Sequence, residues 1–147
     1  MNLASLNFAP AANSGAVMTV LHPIDRIPLE TDGGDPVTIT LLGRDSDAFI
    51  KAETAARQRA MDSLSKGSKV SVTDADRRGC ESLARLVTGW QGIPEGWIDG
   101  TDSNDPADFS VENAMKLFLN PGVRWIRDQA DAFVADRGNF LKASQTS

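Results

Sequence analysis

A chain of 147 residues, of which 41% are hydrophobic and 24% charged, can bury one real core, and this excludes a disordered protein. Its formal net charge of -5 argues against electrostatic binding to nucleic acid or to a membrane surface, because both require a basic face. One cysteine excludes an internal disulfide, and the lack of a long apolar run or an early basic residue excludes a transmembrane helix and a secretory signal, so we expect a cytoplasmic protein.

The amino-terminal segment, residues 1–16, is small, polar and uncharged, and its apolar residues follow neither a helical nor a strand period. We therefore expect a flexible arm. Leu3, Leu6 and Phe8 are nevertheless apolar, so the arm is also a candidate contact surface.

Residues 17–43 have the pattern of a small antiparallel β element. Residues 17–21 are rich in β-branched side chains, and residues 37–42 alternate β-branched with apolar ones. The segment 31–36 between them has the Asp, Gly and Pro content of a turn. A weaker, edge-like strand is expected over residues 24–29, where proline limits hydrogen bonding.

Residues 44–141 are predicted to form a helical domain of about four helices, followed by a frayed tail over residues 142–147. The first helix, residues 47–64, begins at a cap supplied by Asp45 or Ser46 and has a thin apolar stripe made mostly of alanine. The second runs from Thr73 to near Gly92, with Cys80, Leu83, Val87 and Trp90 on one face. The predicted fold class is therefore α+β, with helix dominant.

The last two helices are predicted on either side of Asn120-Pro121-Gly122, a sequence that ends a helix. Ser110 caps the first of this pair, and the second is expected to run unbroken over residues 123–141. The large apolar residues on the inward faces are predicted to be buried together. They are Leu83, Val87, Trp90, Phe118, Ile126, Phe133 and Phe140.

No residue pattern argues for catalysis, so the chain is predicted not to be an enzyme and to use no cofactor or metal. The acidic loop over residues 94–108 fails the EF-hand register, because the fifth position from Asp102 is a proline. His22 has no local partner for a general base, and Cys80 lies on an apolar helix face. Gly33-Gly34 lacks the lysine of a phosphate loop.

Four residues are candidates for binding a partner. Trp97 and Ile98 lie at the start of the acidic loop, and an exposed aromatic residue of this kind is a recurrent anchor at protein contacts. Burial of Trp97 in the core is the alternative. Phe49 and Arg57 lie on the mixed-charge first helix, which offers apolar surface flanked by charge.

Several segments occur in the order and spacing typical of one protein family. They are residues 41–47 (LLGRDSD), 87–93 (VTGWQGI), 109–114 (FSVENA) and 125–129 (WIRDQ), followed by Phe133, Asp136-Arg137 and Asn139-Phe140-Leu141. In this arrangement the chain resembles, over about residues 17–141, the tail assembly chaperones of long-tailed, siphovirus-like bacteriophages. It departs from that family in its long acidic loop after Trp97 and in Gly122-Val123, where the family runs from proline almost directly into tryptophan.

The resemblance implies a non-enzymatic late viral protein of the host cell cytoplasm. Such a protein coats the tape measure protein, keeps that long helix soluble, and recruits tail tube subunits to it. The family is usually absent from the finished tail and often has a longer, frameshifted form, which would be a further partner. The alanine stripe of the first helix also suits packing between copies of the chain.

Two other functions stay open at this point. The same surfaces suit a minor structural or adaptor subunit of the phage particle. A small acidic inhibitor that mimics nucleic acid is the other alternative, although such a mimic needs acids clustered at phosphate-like spacing.

Overall fold

The computed structural model describes residues 2–67 and 72–146, and within them the architecture is α+β. The strands are β1 (Ala16–Thr19), β2 (Thr38–Leu41) and β3 (Val87–Gln91). The helices are α1 (Ala9–Ser14), α2 (Asp47–Ser65), α3 (Val72–Ala84), α4 (Gly96–Asp99), α5 (Val111–Leu119), α6 (Arg124–Ala135) and α7 (Arg137–Thr146). Short 3-10 turns occupy Leu3–Leu6 and Pro121–Val123.

The three strands form one antiparallel sheet in the order β1-β2-β3. Ile39 and Leu41 of the central strand are fully buried, and Thr38 and Thr40, which alternate with them, are partly exposed, as expected for a sheet with one covered face. The edge-like strand predicted over residues 24–29 is absent from this sheet. The His22 amide instead donates to the Ile27 carbonyl at 2.8 Å, which closes a tight turn. The end of the segment still pairs with its neighbours, through a bridge between Leu21 and Pro28 and through the Leu29 amide, which donates to the Val20 carbonyl at 3.0 Å.

Strand β3 corrects the prediction that residues 87–91 end a helix. Helix α3 stops at Ala84, and the Leu42 amide then donates to the Leu86 carbonyl at 2.8 Å. This bond starts the pairing that draws the next residues beside β2. Trp90 lies opposite Ile39 in the sheet, and its indole N–H donates to the Ala107 carbonyl at 3.0 Å.

The helix predicted over residues 123–141 is two helices, because the backbone at Asp136 is extended (φ -93°, ψ 103°). The Asp136 carboxylate accepts from the Gly138 amide at 2.9 Å, and the Asn139 side-chain amide donates to the Phe133 carbonyl at 3.1 Å. These bonds satisfy backbone groups that a continuous helix would have paired internally. Helix α7 continues to Thr146, across the tail expected to fray.

The amino-terminal segment differs from the loose arm expected over residues 1–16. Residues 9–14 form α1, whose Ala11 and Ala12 are buried. A β-carbon added at Gly43 would lie 3.0 Å from the Ala12 β-carbon and 3.1 Å from the Phe140 ring. Small side chains therefore let α1 pack closely, a packing that the composition of the arm does not reveal.

The main core lies between the covered face of the sheet and helices α3, α5 and α6. Of the residues predicted to be buried together, Leu83, Val87, Phe118 and Ile126 are buried there. Trp90 and Phe133 are only half-buried against it, which corrects the prediction for both. In the described part of the chain, no helix combines the length and the apolar character needed to cross a bilayer.

Phe140 is buried in a second, smaller cluster with Ala11 and Ala16. This also differs from the prediction, which placed it in the main core. The reason is the break at Asp136, since α7 turns away from α6 and packs on α1 and β1. The Phe133 and Phe140 rings, 5.5 Å apart and edge to face, join the two clusters.

Ion pairs connect parts of the chain that are distant in sequence: one joins the segment before α2 to α7, and another joins α3 to α6. Arg137 at the start of α7 donates to both oxygens of Asp45, at 2.6 and 3.0 Å. Arg127 of α6 donates to Asp76 of α3 at 2.6 Å. These hydrogen bonds from the guanidinium groups lower the pKa of both carboxyls below 3.8.

We expect the double substitution Asp45→Asn and Asp76→Asn to destabilise the protein at neutral pH and to have progressively less effect below about pH 3.8. Because the folded pKa values are lowered, the stability that these carboxylates contribute is full above the unfolded pKa. It is lost as the pH falls through the folded values. Urea denaturation midpoints of the wild type and the double variant from pH 7 to pH 2.5 measure this difference.

Asp131 behaves in the opposite way, but both proteins contain it, so its contribution differs between them only through its contact with Arg127. Burial raises the pKa of that carboxyl, so acid relieves its desolvation. A difference in midpoint that stayed constant over the whole pH range would contradict the prediction.

Candidate functional site

Hydrogen bonds to neighbouring segments hold the amino-terminal end of helix α2 in place. The Ser46 hydroxyl, fully buried, donates to the Gly43 carbonyl at 2.6 Å and accepts from the Phe49 amide at 3.1 Å. The Asn13 side-chain oxygen accepts from the Asp47 amide at 2.9 Å. Of the two predicted caps, Asp45 and Ser46, the one used is Ser46, and these bonds set the direction in which α2 runs.

The outer side of α2 carries an apolar stripe that no other element of the described chain covers. The helix has 19 residues and buries none of them. Ile50, Met61 and Leu64 are 55%, 60% and 76% exposed. Their spacing of eleven and three residues places them on one helical face, together with Arg57. We call these four residues the outer stripe.

A groove runs beside the outer stripe, between α2 on one side and α3 and α6 on the other. We call it the α2 groove; its volume is about 430 Å³. Phe49 forms one half-buried wall, and Leu83, Leu86 and Val134 are buried apolar side chains on the opposite side. The walls are thus mostly apolar and suit an apolar side chain of a partner.

Charged groups lie at the edges of this groove: Arg44, Glu53 and Asp131. Glu53 pairs with Arg57 at 2.8 Å, and both side chains are largely exposed. The Asp131 carboxylate is 3.9 Å from Arg127, which partly offsets the effect of burial on its pKa. The groove therefore combines an apolar interior with a mixed-charge rim.

A second cavity lies beside Trp97 in the short helix α4. We call it the Trp97 pocket; it has a volume of about 170 Å³ and is lined by Leu29, Glu30, Asp32, Val37, Pro94 and Trp97, with Thr31 and Asn104. Trp97 is half-buried, in T-shaped contact with Trp125 at 5.6 Å between ring centroids. The tryptophan is therefore neither the free anchor nor the fully buried core residue that the sequence allowed.

Two glycines allow close packing next to this pocket. Gly92 has φ +80°, and a β-carbon there would lie 2.8 Å from the Thr31 side chain. A β-carbon at Gly96 would lie 2.5 Å from the Thr101 carbonyl oxygen. Only glycine lets the Thr31 side chain approach position 92, and the acidic loop approach α4, this closely.

The acidic loop folds back on α4 through its backbone. The Glu95 and Gly96 amides donate to the Asp105 and Ser103 carbonyls at 2.8 and 2.9 Å. The Thr101 hydroxyl and amide donate to the Asp99 carboxylate and lower its pKa. Within the described residues, no group of three or more His, Cys, Asp or Glu side chains is placed to hold a metal ion.

His22 and Cys80 have structural surroundings. The His22 Nδ1 accepts from the Ile24 and Asp25 amides at 3.2 and 3.1 Å, so it holds the turn after β1. Cys80 is fully buried, its thiol donates to the Phe118 carbonyl at 3.5 Å, and burial raises its pKa. A thiol in this state is a weak nucleophile.

The four predicted partner-binding residues fall into two places. Phe49 lines the α2 groove and Arg57 belongs to the outer stripe, whereas Trp97 lines its own pocket. Ile98 is half-buried against the main core and supports α4 from within. Phe49 and Trp97 therefore line two different cavities, whereas Arg57 and Ile98 line neither of them.

Sequence reasoning missed the other residues of these surfaces. The outer-stripe members Ile50 and Met61 were passed over, although their spacing with Leu64 gives a second helical period on the same helix. Asp32 belongs to the turn predicted over residues 31–36, and Glu30 lies between that turn and the edge-like strand, so neither is a predicted site residue. No family model, curated protein or solved structure matches the chain.

Proposed function

We propose that this protein is a tail assembly chaperone of a long-tailed bacteriophage. In the host cytoplasm it binds the tape measure protein, keeps it soluble and recruits tail tube subunits to it. One observation carries the proposal: α2 presents an uncovered apolar stripe beside an apolar groove along a helix of 19 residues.

An exposed apolar helix face suits a helical client. Helices that pack side by side bury the apolar residues of one face, and Ile50, Met61 and Leu64, at i, i+11 and i+14, lie on one face of α2. A side chain from the client can enter the α2 groove, where Phe49 forms a wall. Arg57 and Glu53 supply charge at the edge, which keeps the unbound chaperone soluble.

Each contact is expected to be weak. Three exposed side chains and one groove bury far less area than a stable protein interface, so a dissociation constant of order micromolar is reasonable. Many copies along a long client would then supply avidity. Release follows from competition, because tail tube subunits that enclose the client bury more of the same surface.

The experiment is co-expression of the tape measure protein with the chain and with its variant Met61→Glu, Leu64→Glu. Both positions are exposed, and glutamate is a good helix former, so the variant should fold. We expect the wild type to keep the client soluble and the variant to lose at least tenfold in client affinity. Light scattering of the client and a pull-down measure the two effects.

The matched control is Ile24→Glu, which removes a side chain that is 82% exposed but lies in the turn after β1. It should leave client binding unchanged. A client that is equally soluble without this protein would remove the chaperone proposal, whereas an unaffected Met61→Glu, Leu64→Glu variant would move the contact to another face. Stoichiometric amounts in purified particles would instead indicate a structural subunit.

A further inference from the structure

We propose that the Trp97 pocket binds an arginine side chain of a partner protein. The inference goes beyond the proposed function, since it specifies the chemistry of one bound side chain and holds for any partner that presents it. It starts from the size of the pocket. A volume of about 170 Å³ is below the roughly 300–1,000 Å³ of small-molecule sites and suits a single long side chain.

The lining of the pocket selects a cation with a flat, partly apolar group. Trp97 provides an aromatic wall, and Leu29, Val37 and Pro94 provide apolar surface. Glu30 and Asp32 add two carboxylates, both exposed at the mouth. An apolar ligand would desolvate these carboxylates without pairing them, and an anion would be repelled.

The carboxylates are free to pair with a ligand. In the part of the chain that the structure describes, neither Glu30 nor Asp32 belongs to an ion pair. Both carboxylates lie in exposed positions. A guanidinium can stack on the indole ring of Trp97. At the edge of the ring it can donate hydrogen bonds to the oxygens of these two carboxylates.

Arginine fits this arrangement better than lysine. Its planar guanidinium stacks on an aromatic face and donates through several N–H groups at once, whereas the lysine ammonium is a compact, strongly hydrated charge. We therefore expect an arginine-bearing peptide to bind more tightly than its lysine counterpart.

The pocket is already formed without a ligand. The Trp97 carbonyl accepts from the Asn120 side-chain amide at 2.9 Å, and the ring is held by Trp125. On the opposite wall, the Thr31 amide donates to the Asp35 carbonyl at 2.7 Å, which fixes the turn that carries Asp32. Binding would therefore cost little ordering of the protein.

The experiment is an NMR titration that follows the three tryptophan indole N–H resonances, with Trp97 assigned through Trp97→Phe. The probe is the blocked tripeptide Gly-Arg-Gly, and its isosteric neutral control replaces arginine by citrulline. We expect the Trp97 resonance to shift and saturate at millimolar arginine peptide, with at least tenfold weaker binding of the citrulline peptide. The lysine peptide should bind with intermediate affinity.

The variant Glu30→Gln, Asp32→Asn should lose at least tenfold in affinity for the arginine peptide. Its matched control, Asp102→Asn, Asp108→Asn, removes two exposed carboxylates of the acidic loop that do not line the pocket and should bind as the wild type does. Equal shifts with the citrulline peptide, or equal losses in the two variants, would overturn the proposal. So would the absence of any Trp97 shift at millimolar arginine peptide.

Discussion

Replacing Ile126 by alanine should lower the free energy of unfolding by about 2–5 kcal/mol. Ile126 is fully buried on α6, in the core that joins this helix to α3, α5 and the sheet. Truncation removes apolar contacts from all of these elements and leaves a cavity that a close-packed interior fills only in part. Urea denaturation followed by circular dichroism measures the change.

The control for this substitution is Ile50→Ala on the outer stripe of α2. The same atoms are removed, but from a side chain that is 55% exposed, so stability should change by no more than about 0.5 kcal/mol. If Ile126→Ala were as mild as Ile50→Ala, the arrangement of α6 in the core would be wrong.

The sequence predicted the elements whose signals are local. Strands β1 and β2 follow from β-branched residues on either side of a turn, and both predicted N-caps are present. The Ser46 and Ser110 hydroxyls accept from the amides of Phe49 and Asn113. A cap and a strand pattern each involve a few neighbouring residues, so the chain alone reveals them.

Strand β3 could not be predicted in the same way. Val87 and Trp90 continue the apolar spacing of α3, so the helical period extends past the true end of the helix. Pairing with β2 decides the outcome, since Thr38–Leu41 offers backbone groups that would otherwise lack partners. That strand lies more than forty residues earlier in the chain.

The break between α6 and α7 also depends on distant residues. Phe133 and Phe140 are seven apart, which suits one continuous helix. Arg137 instead pairs with Asp45, and its guanidinium lies 5.8 Å from the centre of the Phe8 ring. These contacts hold α7 against the amino-terminal segment, away from the line of α6.

The candidate surfaces show the same limit of sequence reasoning. Helix α2 carries one apolar series through Ala52 and a second through Ile50, Met61 and Leu64. Periodicity identifies both but does not tell which one the fold covers. Only the packing of α2 on α3 leaves the second series exposed, and this exposure is what supports a role in binding a helical client.

Replacing Gly96 by alanine should destabilise the protein by about 3 kcal/mol and disturb the Trp97 pocket. The added β-carbon would lie 2.5 Å from the Thr101 carbonyl oxygen and 2.9 Å from that of Ser103. Both neighbours are backbone atoms, and the Gly96 amide donates to the same Ser103 carbonyl at 2.9 Å. The clash therefore cannot be relieved by rotating a side chain, and either α4 or the acidic loop must move.

The control is Gly89→Ala on β3, where an added β-carbon meets nothing within 4 Å. It should leave stability nearly unchanged, and an equal effect of the two substitutions in urea denaturation would contradict the geometry around α4. Displacement of α4 also moves Trp97, so Gly96→Ala should shift the Trp97 indole resonance and weaken binding of the arginine peptide. Met61 and Leu64 lie on α2 and not on α4, so client binding through the outer stripe should survive wherever the variant remains folded. This one substitution would thus distinguish binding at the Trp97 pocket from client binding at the outer stripe.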